Sequence, residues 1–191
     1  MKRSCFAVLL AVSAILLTHV PAAHAFGIMG SWWNIDKSNE DGWGGGIRQE
    51  VPLIPWGWGD NDSTDGDNDA DAEEALIRLS LDTRASYFRF SDADLNVIPL
   101  EVGGLIGLGV LYAELGGGYY IMDADYDVQN DWGWFALAGV MLGRGATGLF
   151  GEVKWTSLTA DIDNVDVDLG DIPNSLDADG VGINVGISFG I

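Results

Sequence analysis

The sequence predicts an all-β protein, an eight-stranded antiparallel up-and-down transmembrane β-barrel over residues 26–191. Three observations predict it. First, the C-terminal stretch alternates without a break. Val181, Ile183, Val185, Ile187, Phe189 and Ile191 fall on one parity, and Gly180, Gly182, Asn184, Gly186, Ser188 and Gly190 on the other. Successive strand side chains point to opposite faces, so one face is wholly apolar and the other small and polar. A face of glycine, asparagine and serine suits the crowded inside of a narrow closed barrel. Second, no apolar run of helix-spanning length follows residue 25, so a membrane-embedded chain must close its backbone hydrogen bonds as a barrel. Third, about 166 residues remain after residue 25, the length of one domain or of eight barrel strands with their connections.

The N-terminus reads as a secretory leader. Met1-Lys2-Arg3 is positive, Phe6 to Leu17 is apolar apart from Ser13, and Ala23-His24-Ala25 is an A-x-A site. This predicts a signal peptide over 1–25, cleaved after Ala25. Cleavage removes Cys5, His19 and His24, leaving no thiol, disulfide or imidazole. Lys2 and Arg3 leave and no acid does, so the formal charge of −20 becomes −22. Such acidity excludes nucleic acid as a partner, because phosphates require Lys and Arg.

Eight strands follow. Strand one covers about 28–35 and strand two about 42–53, with Asp36 to Asp41 as the turn between them. Residues 55–74 form an acidic, low-complexity connection, expected to be disordered. In strand three, about 75–90, Ile77, Leu79, Leu81, Thr83, Ala85 and Tyr87 oppose Arg78, Ser80, Asp82, Arg84 and Ser86. Strand four, about 95–104, contains Pro99, which predicts a bulge or a broken ladder hydrogen bond. Strand five, about 109–124, sets Leu111, Ala113, Leu115, Tyr119 and Ile121 against Tyr112, Glu114, Tyr120 and Met122. Strand six, about 132–143, is apolar on both faces and leaves its inward side open. Strand seven, about 147–160, sets Leu149, Val153 and Trp155 against Glu152, Lys154 and Thr156. Strand eight is the C-terminal stretch. Short turns at 105–108 and 144–146 and longer loops at 125–131 and 161–179 alternate as the architecture requires. The connection 55–74 is long on the short-turn side, which signals either an insertion or a different strand count in the first third.

Leu111-Tyr-Ala-Glu-Leu-Gly-Gly-Gly-Tyr-Tyr120, the strand pattern and the C-terminal stretch together resemble the small eight-stranded bacterial outer-membrane β-barrel proteins, the OmpA-transmembrane-like and OmpX-like group. The C-terminus also resembles the terminal signal of such proteins, with Phe189 as its aromatic. The resemblance implies the Gram-negative cell outer membrane as location. It implies lipid and lipopolysaccharide as surroundings, and the β-barrel assembly machinery, reading Phe189, as partner. The group has no shared catalytic motif. A barrel has no open edge, so the expected state is a monomer.

With Leu, Ile and Val outward, the inward faces carry Arg78, Asp82, Arg84, Glu114, Glu152 and Lys154, with Arg48, Glu50 and Glu101 placed less securely. Isolated charges inside a narrow barrel are costly, so the expectation is a salt-bridge network filling the lumen. Several of these residues at strand ends in water is the competing expectation. The tryptophans Trp32, Trp33, Trp43, Trp56, Trp58, Trp132 and Trp134 fall near strand ends, as headgroup-level girdles would require. For Trp155, core packing fits as well.

Nothing predicts an enzyme. Barrel hydrolases of this architecture rely on His, which the mature chain lacks, and no spacing supports a carboxylate-only hydrolase using Asp161 or Asp163. No cofactor is expected, with Ca²⁺ the one alternative. Asp60 to Glu74 offers hard oxygen ligands, with Asp65, Asp67 and Asp69 the metal candidates. Aligning Gly66 with a calcium-loop glycine places Asn61, Ser63 and Asp65 at ligand positions, but Ala72 stands where a Glu is needed. The expected function is a non-enzymatic structural or adhesive role at the cell surface. A narrow pore for ions or small solutes and a secreted soluble Ca²⁺-binding β-protein are the alternatives.

Overall fold

The computed structural model describes residues 25–36, 38, 40–53, 77–124, 128–143, 147–161 and 175–190. Among them the secondary structure is all β. The strands are β1 (Ala25–Ile35), β2 (Glu40–Pro52), β3 (Ile77–Phe90), β4 (Leu95–Leu108), β5 (Leu111–Asp123), β6 (Asp131–Leu142), β7 (Gly148–Ser157), β8 (Thr159–Asp161), β9 (Ser175–Asp177) and β10 (Gly180–Gly190). Eight of them form a closed barrel in the order β1-β10-β7-β6-β5-β4-β3-β2, and β8 and β9 form a separate two-stranded sheet. Every pairing is antiparallel. β2 pairs directly with β3, so the connection from Leu53 to Ile77 sits on the short-turn side and eight is the correct count.

The register fixes the shape of the cylinder. A circuit of paired residues runs Ala25, Glu50, Asp82, Gly103, Gly116, Phe135, Thr156, Gly180 and returns to β1 at Ile35, a stagger of ten residues from its start. Eight strands with that stagger tilt by about 40° from the axis.

Alternation sorts the side chains as barrel geometry demands. Ile77, Leu115, Val153 and Ile187 are on the outside and exposed, with no second sheet against them among the described residues. The other parity points into the lumen. β6, apolar on both faces, turns Phe135, Leu137 and Met141 inward and Trp132, Trp134, Val140 and Leu142 outward. β4 runs four residues further than expected, because Leu105, Ile106, Gly107 and Leu108 continue the alternation. The turn is then only Gly109 and Val110, with Leu108 facing Leu111. Gly109 has φ +58°, which a two-residue hairpin loop needs at its first position and glycine supplies without strain.

At Pro99 the ladder breaks and no bulge forms. Pairing between β3 and β4 lapses after Ala85↔Leu100 and resumes at Phe88↔Val97 in unchanged register. Pro99 has no N–H to donate, and its pairing with Tyr120 on β5 persists.

Trp33 corrects the girdle expectation. It is buried inside the barrel, with its ring edge-on to Phe88 (5.4 Å) and Phe90 (5.5 Å). Adjacent residues of a strand point oppositely, so Trp32 and Trp33 cannot share a face. Among the described residues the outward aromatics Trp32, Trp43, Tyr87, Tyr119, Trp132, Trp134 and Trp155 lie toward the loop ends of their strands, while Phe26 and Phe189 face outward at the other end. Trp32 lies opposite Trp43, Tyr119 packs on Trp132 at 5.3 Å, and Trp134 on Trp155 at 4.4 Å. Trp56 and Trp58 lie outside the described residues.

Candidate functional site

The candidate site is the lumen. The loop end is filled by an apolar cluster of Trp33, Ile35, Phe88, Phe90, Leu95, Val97, Tyr120 and Met122. Leu158, Ala160 and Ala178, from the β8–β9 hairpin, join that cluster and close over the barrel mouth. The hairpin is tied down by three backbone N–H donors: Leu158 N–H donates to the Asp179 side chain at Oδ1 (2.8 Å), Ala178 N–H to the Leu158 carbonyl (2.9 Å), and Asp36 N–H to the Asp179 carbonyl (2.9 Å). The described ends of the connection between β7 and β10 thus form a separate two-stranded sheet of β8 and β9. A second apolar cluster, Met29, Leu105, Tyr112, Phe135, Leu137, Met141 and Phe150, lines the other half of the lumen.

Charged residues occupy the middle of the strands, among these apolar groups. Arg84 is their hub. Its Nη1 lies 2.5 Å from Glu152 Oε2, and its Nη2 lies 2.7 Å from both Asp82 Oδ2 and Glu114 Oε2. Arg48 faces Arg84 directly across β2 and β3. Two like charges in that position repel, and the structure resolves this by sharing counter-ions. Arg48 Nη2 meets Asp82 Oδ2 at 2.6 Å and its Nη1 meets Glu152 Oε1 at 2.6 Å. Tyr112 donates its hydroxyl to Glu152 Oε1 (2.7 Å), and Asn184 donates Nδ2 to Glu152 Oε2 (3.0 Å). The Arg48 guanidinium also lies over the rings of Phe150 (5.0 Å) and Tyr112 (5.5 Å). One cluster therefore ties β2, β3, β5, β7 and β10. β3 and β7 are four places apart around the ring, so Arg84–Glu152 spans its full diameter.

Two smaller groups complete the set. Glu50 accepts from Ser80 Oγ (2.7 Å) and pairs with Arg78 Nε (3.1 Å). Glu101 pairs with Lys154 Nζ (2.5 Å) and accepts from the Tyr120 hydroxyl (2.7 Å), while Lys154 Nζ sits 5.2 Å from the Phe135 ring centroid.

All six residues assigned to the lumen from sequence, Arg78, Asp82, Arg84, Glu114, Glu152 and Lys154, lie on inward faces and in these ion pairs, and so do Arg48, Glu50 and Glu101. None but Arg78 has appreciable exposure. Sequence reasoning did not assign roles to Tyr112, Tyr120 and Asn184. The signal was present, since each shares its strand's polar parity with a charged or small polar residue.

Phe189 faces outward at the barrel's foot, paired with Phe26 across the seam of β1 and β10. The metal candidates Asp65, Asp67 and Asp69 lie outside the described residues, as do residues 1–24 with the leader, the 55–74 connection and Asp163. Among the described residues no group of three or more His, Cys, Asp or Glu is arranged to hold a metal ion. The rim of the mouth carries Glu40, whose carboxyl is pushed above its ordinary value by partial burial and then by the negative charge of Asp92. No family model matches the chain, and no curated protein matches it.

Proposed function

We propose that this protein is a non-enzymatic outer-membrane β-barrel of the OmpA-transmembrane-like and OmpX-like kind, with a structural or adhesive role at the cell surface. The observation that carries the reading is the inversion of polarity. Aliphatic side chains stand exposed around the whole cylinder while nine charged side chains turn inward. Water gives no reason for that arrangement, and hydrocarbon does. On β4 the outward apolar run extends from Ile98 to Leu108. At about 3.3 Å per residue and a tilt of about 40° it stands about 25 Å tall, the height of a barrel's lipid-facing band. The outward tryptophans and tyrosines cluster at one edge of this band, at the level where amphipathic rings favour the headgroups, and Phe26 with Phe189 lies at the other edge. The exposed acidic turn 91–94 lies at that edge and is available to partners outside the cell.

The filled lumen supports a structural role over a pore. Ion pairs span its diameter and an apolar cluster with a hairpin lid closes its loop end. Reconstituted in planar bilayers, the protein is expected to give no steady single-channel steps. Regular steps would favour the narrow pore instead. Membrane fractionation and migration on a denaturing gel test the location: the unheated protein should sediment with outer membranes and run faster than the boiled one. Recovery in the periplasm or medium would favour the soluble alternative.

A further inference from the structure

Among the described residues, four of the five lysines and arginines turn into the lumen: Arg48, Arg78, Arg84 and Lys154. Arg89 is the exception. It is exposed on the outer face of β3, one residue from the strand's loop end, and makes no ion pair with a described carboxylate. In a chain of 29 acids an unpaired outward guanidinium is unusual. Its neighbours are also donors. Trp43 lies directly across on β2 and Asn96 directly across on β4, both on the same outer face. Trp43 is 69% exposed and carries an indole N–H donor. The Tyr87 hydroxyl donates to Asn96 Oδ1 at 2.7 Å, which fixes the amide with its NH₂ as the donating end. That NH₂ has only a long contact, 3.5 Å, to the Asp123 carbonyl.

We propose that Arg89, Asn96 and Trp43 form an external site for the phosphate of a membrane lipid headgroup. The proposal rests on the membrane reading above, which sets these residues beside the outward aromatics at the edge of the hydrocarbon band. A guanidinium presents planar paired donors that match a phosphate, and the neighbouring amide and indole N–H groups add to it. The lipid's chains would lie on the exposed aliphatic wall below, along Tyr87, Ile98 and Val102. Asp41 and Asp123 face outward on the same rim and Arg89 is the one outward cation among the described residues, so an anion held there depends on Arg89.

The test uses ¹⁵N-labelled protein folded in phosphocholine micelles, as wild type and Arg89→Gln, titrated with dioctanoyl phosphatidic acid or with inorganic phosphate. Phosphatidic acid should shift the Arg89 Nε–H, Asn96 NH₂ and Trp43 indole signals saturably, and Arg89→Gln should weaken that binding about tenfold or more. The buried Trp33 indole signal, unmoved in the variant, reports an intact barrel. Shifts independent of Arg89 overturn the proposal. Equal binding of inorganic phosphate shows a free-anion site and overturns its assignment to lipid. A second measurement separates the proposal from the reading beneath it: quenching of tryptophan fluorescence by brominated-chain phosphatidylcholine in vesicles. Quenching without headgroup selectivity sinks the phosphate site alone. Absence of quenching sinks the membrane reading, and the site with it.

Discussion

Arg84→Leu is expected to lower the unfolding free energy of the barrel by about 3–5 kcal/mol, the cost of breaking buried ion pairs from one side. Arg84 touches three carboxylates. After the exchange, Glu152 keeps Arg48, Tyr112 and Asn184, and Asp82 keeps Arg48. Glu114 is left with no cation at ion-pair distance among the described residues and becomes a buried, uncompensated charge. Leucine fills much of the volume, so the loss is electrostatic more than a cavity effect. Urea titrations of folded protein in vesicles, followed by tryptophan fluorescence, give the number. The double variant Arg84→Leu with Glu114→Leu should recover part of the loss, because it removes the stranded charge along with its partner. If Arg84→Leu left the unfolding midpoint where it was, the network would be idle packing.

Leu115→Arg should be destabilising by about 2–4 kcal/mol in a bilayer, the range for a cation near the midplane of a barrel's lipid face. Leu115 is 64% exposed and lies on the outer face of β5, midway between the Leu108–Leu111 turn and the outward aromatics. On a water-facing strand the same exchange would fall within about 0.5 kcal/mol of neutral. The substitution therefore separates the two solvents by size of effect. Ser38→Arg, in the exposed turn between β1 and β2, is the control and should change nothing measurable. A harmless Leu115→Arg would say that water, not lipid, surrounds the barrel.

Strands with one charged parity and one aliphatic parity were legible in the sequence. Arg78, Asp82 and Arg84 against Leu79, Leu81 and Tyr87 allow one orientation only, and the structure adopts it. β6 was not legible, because the lumen itself is partly apolar and Phe135 serves inside as well as Trp134 does outside. Trp33 was misjudged for the same reason: strand-end position does not separate an interfacial ring from one sealing the mouth. Parity identified which charges share the interior, but not their partners. Arg84 and Glu152 are 68 residues apart in sequence, and only the stagger of the closed cylinder brings them together. The phosphate site was invisible in the sequence, since Trp43, Arg89 and Asn96 are brought side by side by register alone.

The seam that shuts the cylinder joins β1 to β10, the first strand to the last, through eleven paired residues from Ala25↔Gly190 to Ile35↔Gly180. Its consequence is temporal. Until β10 has left the ribosome, β1 has no mate on that side, and the nascent polypeptide cannot complete its wall. The cylinder therefore locks in one late event, so deleting part of β10 should harm folding far more than trimming a surface loop of equal length.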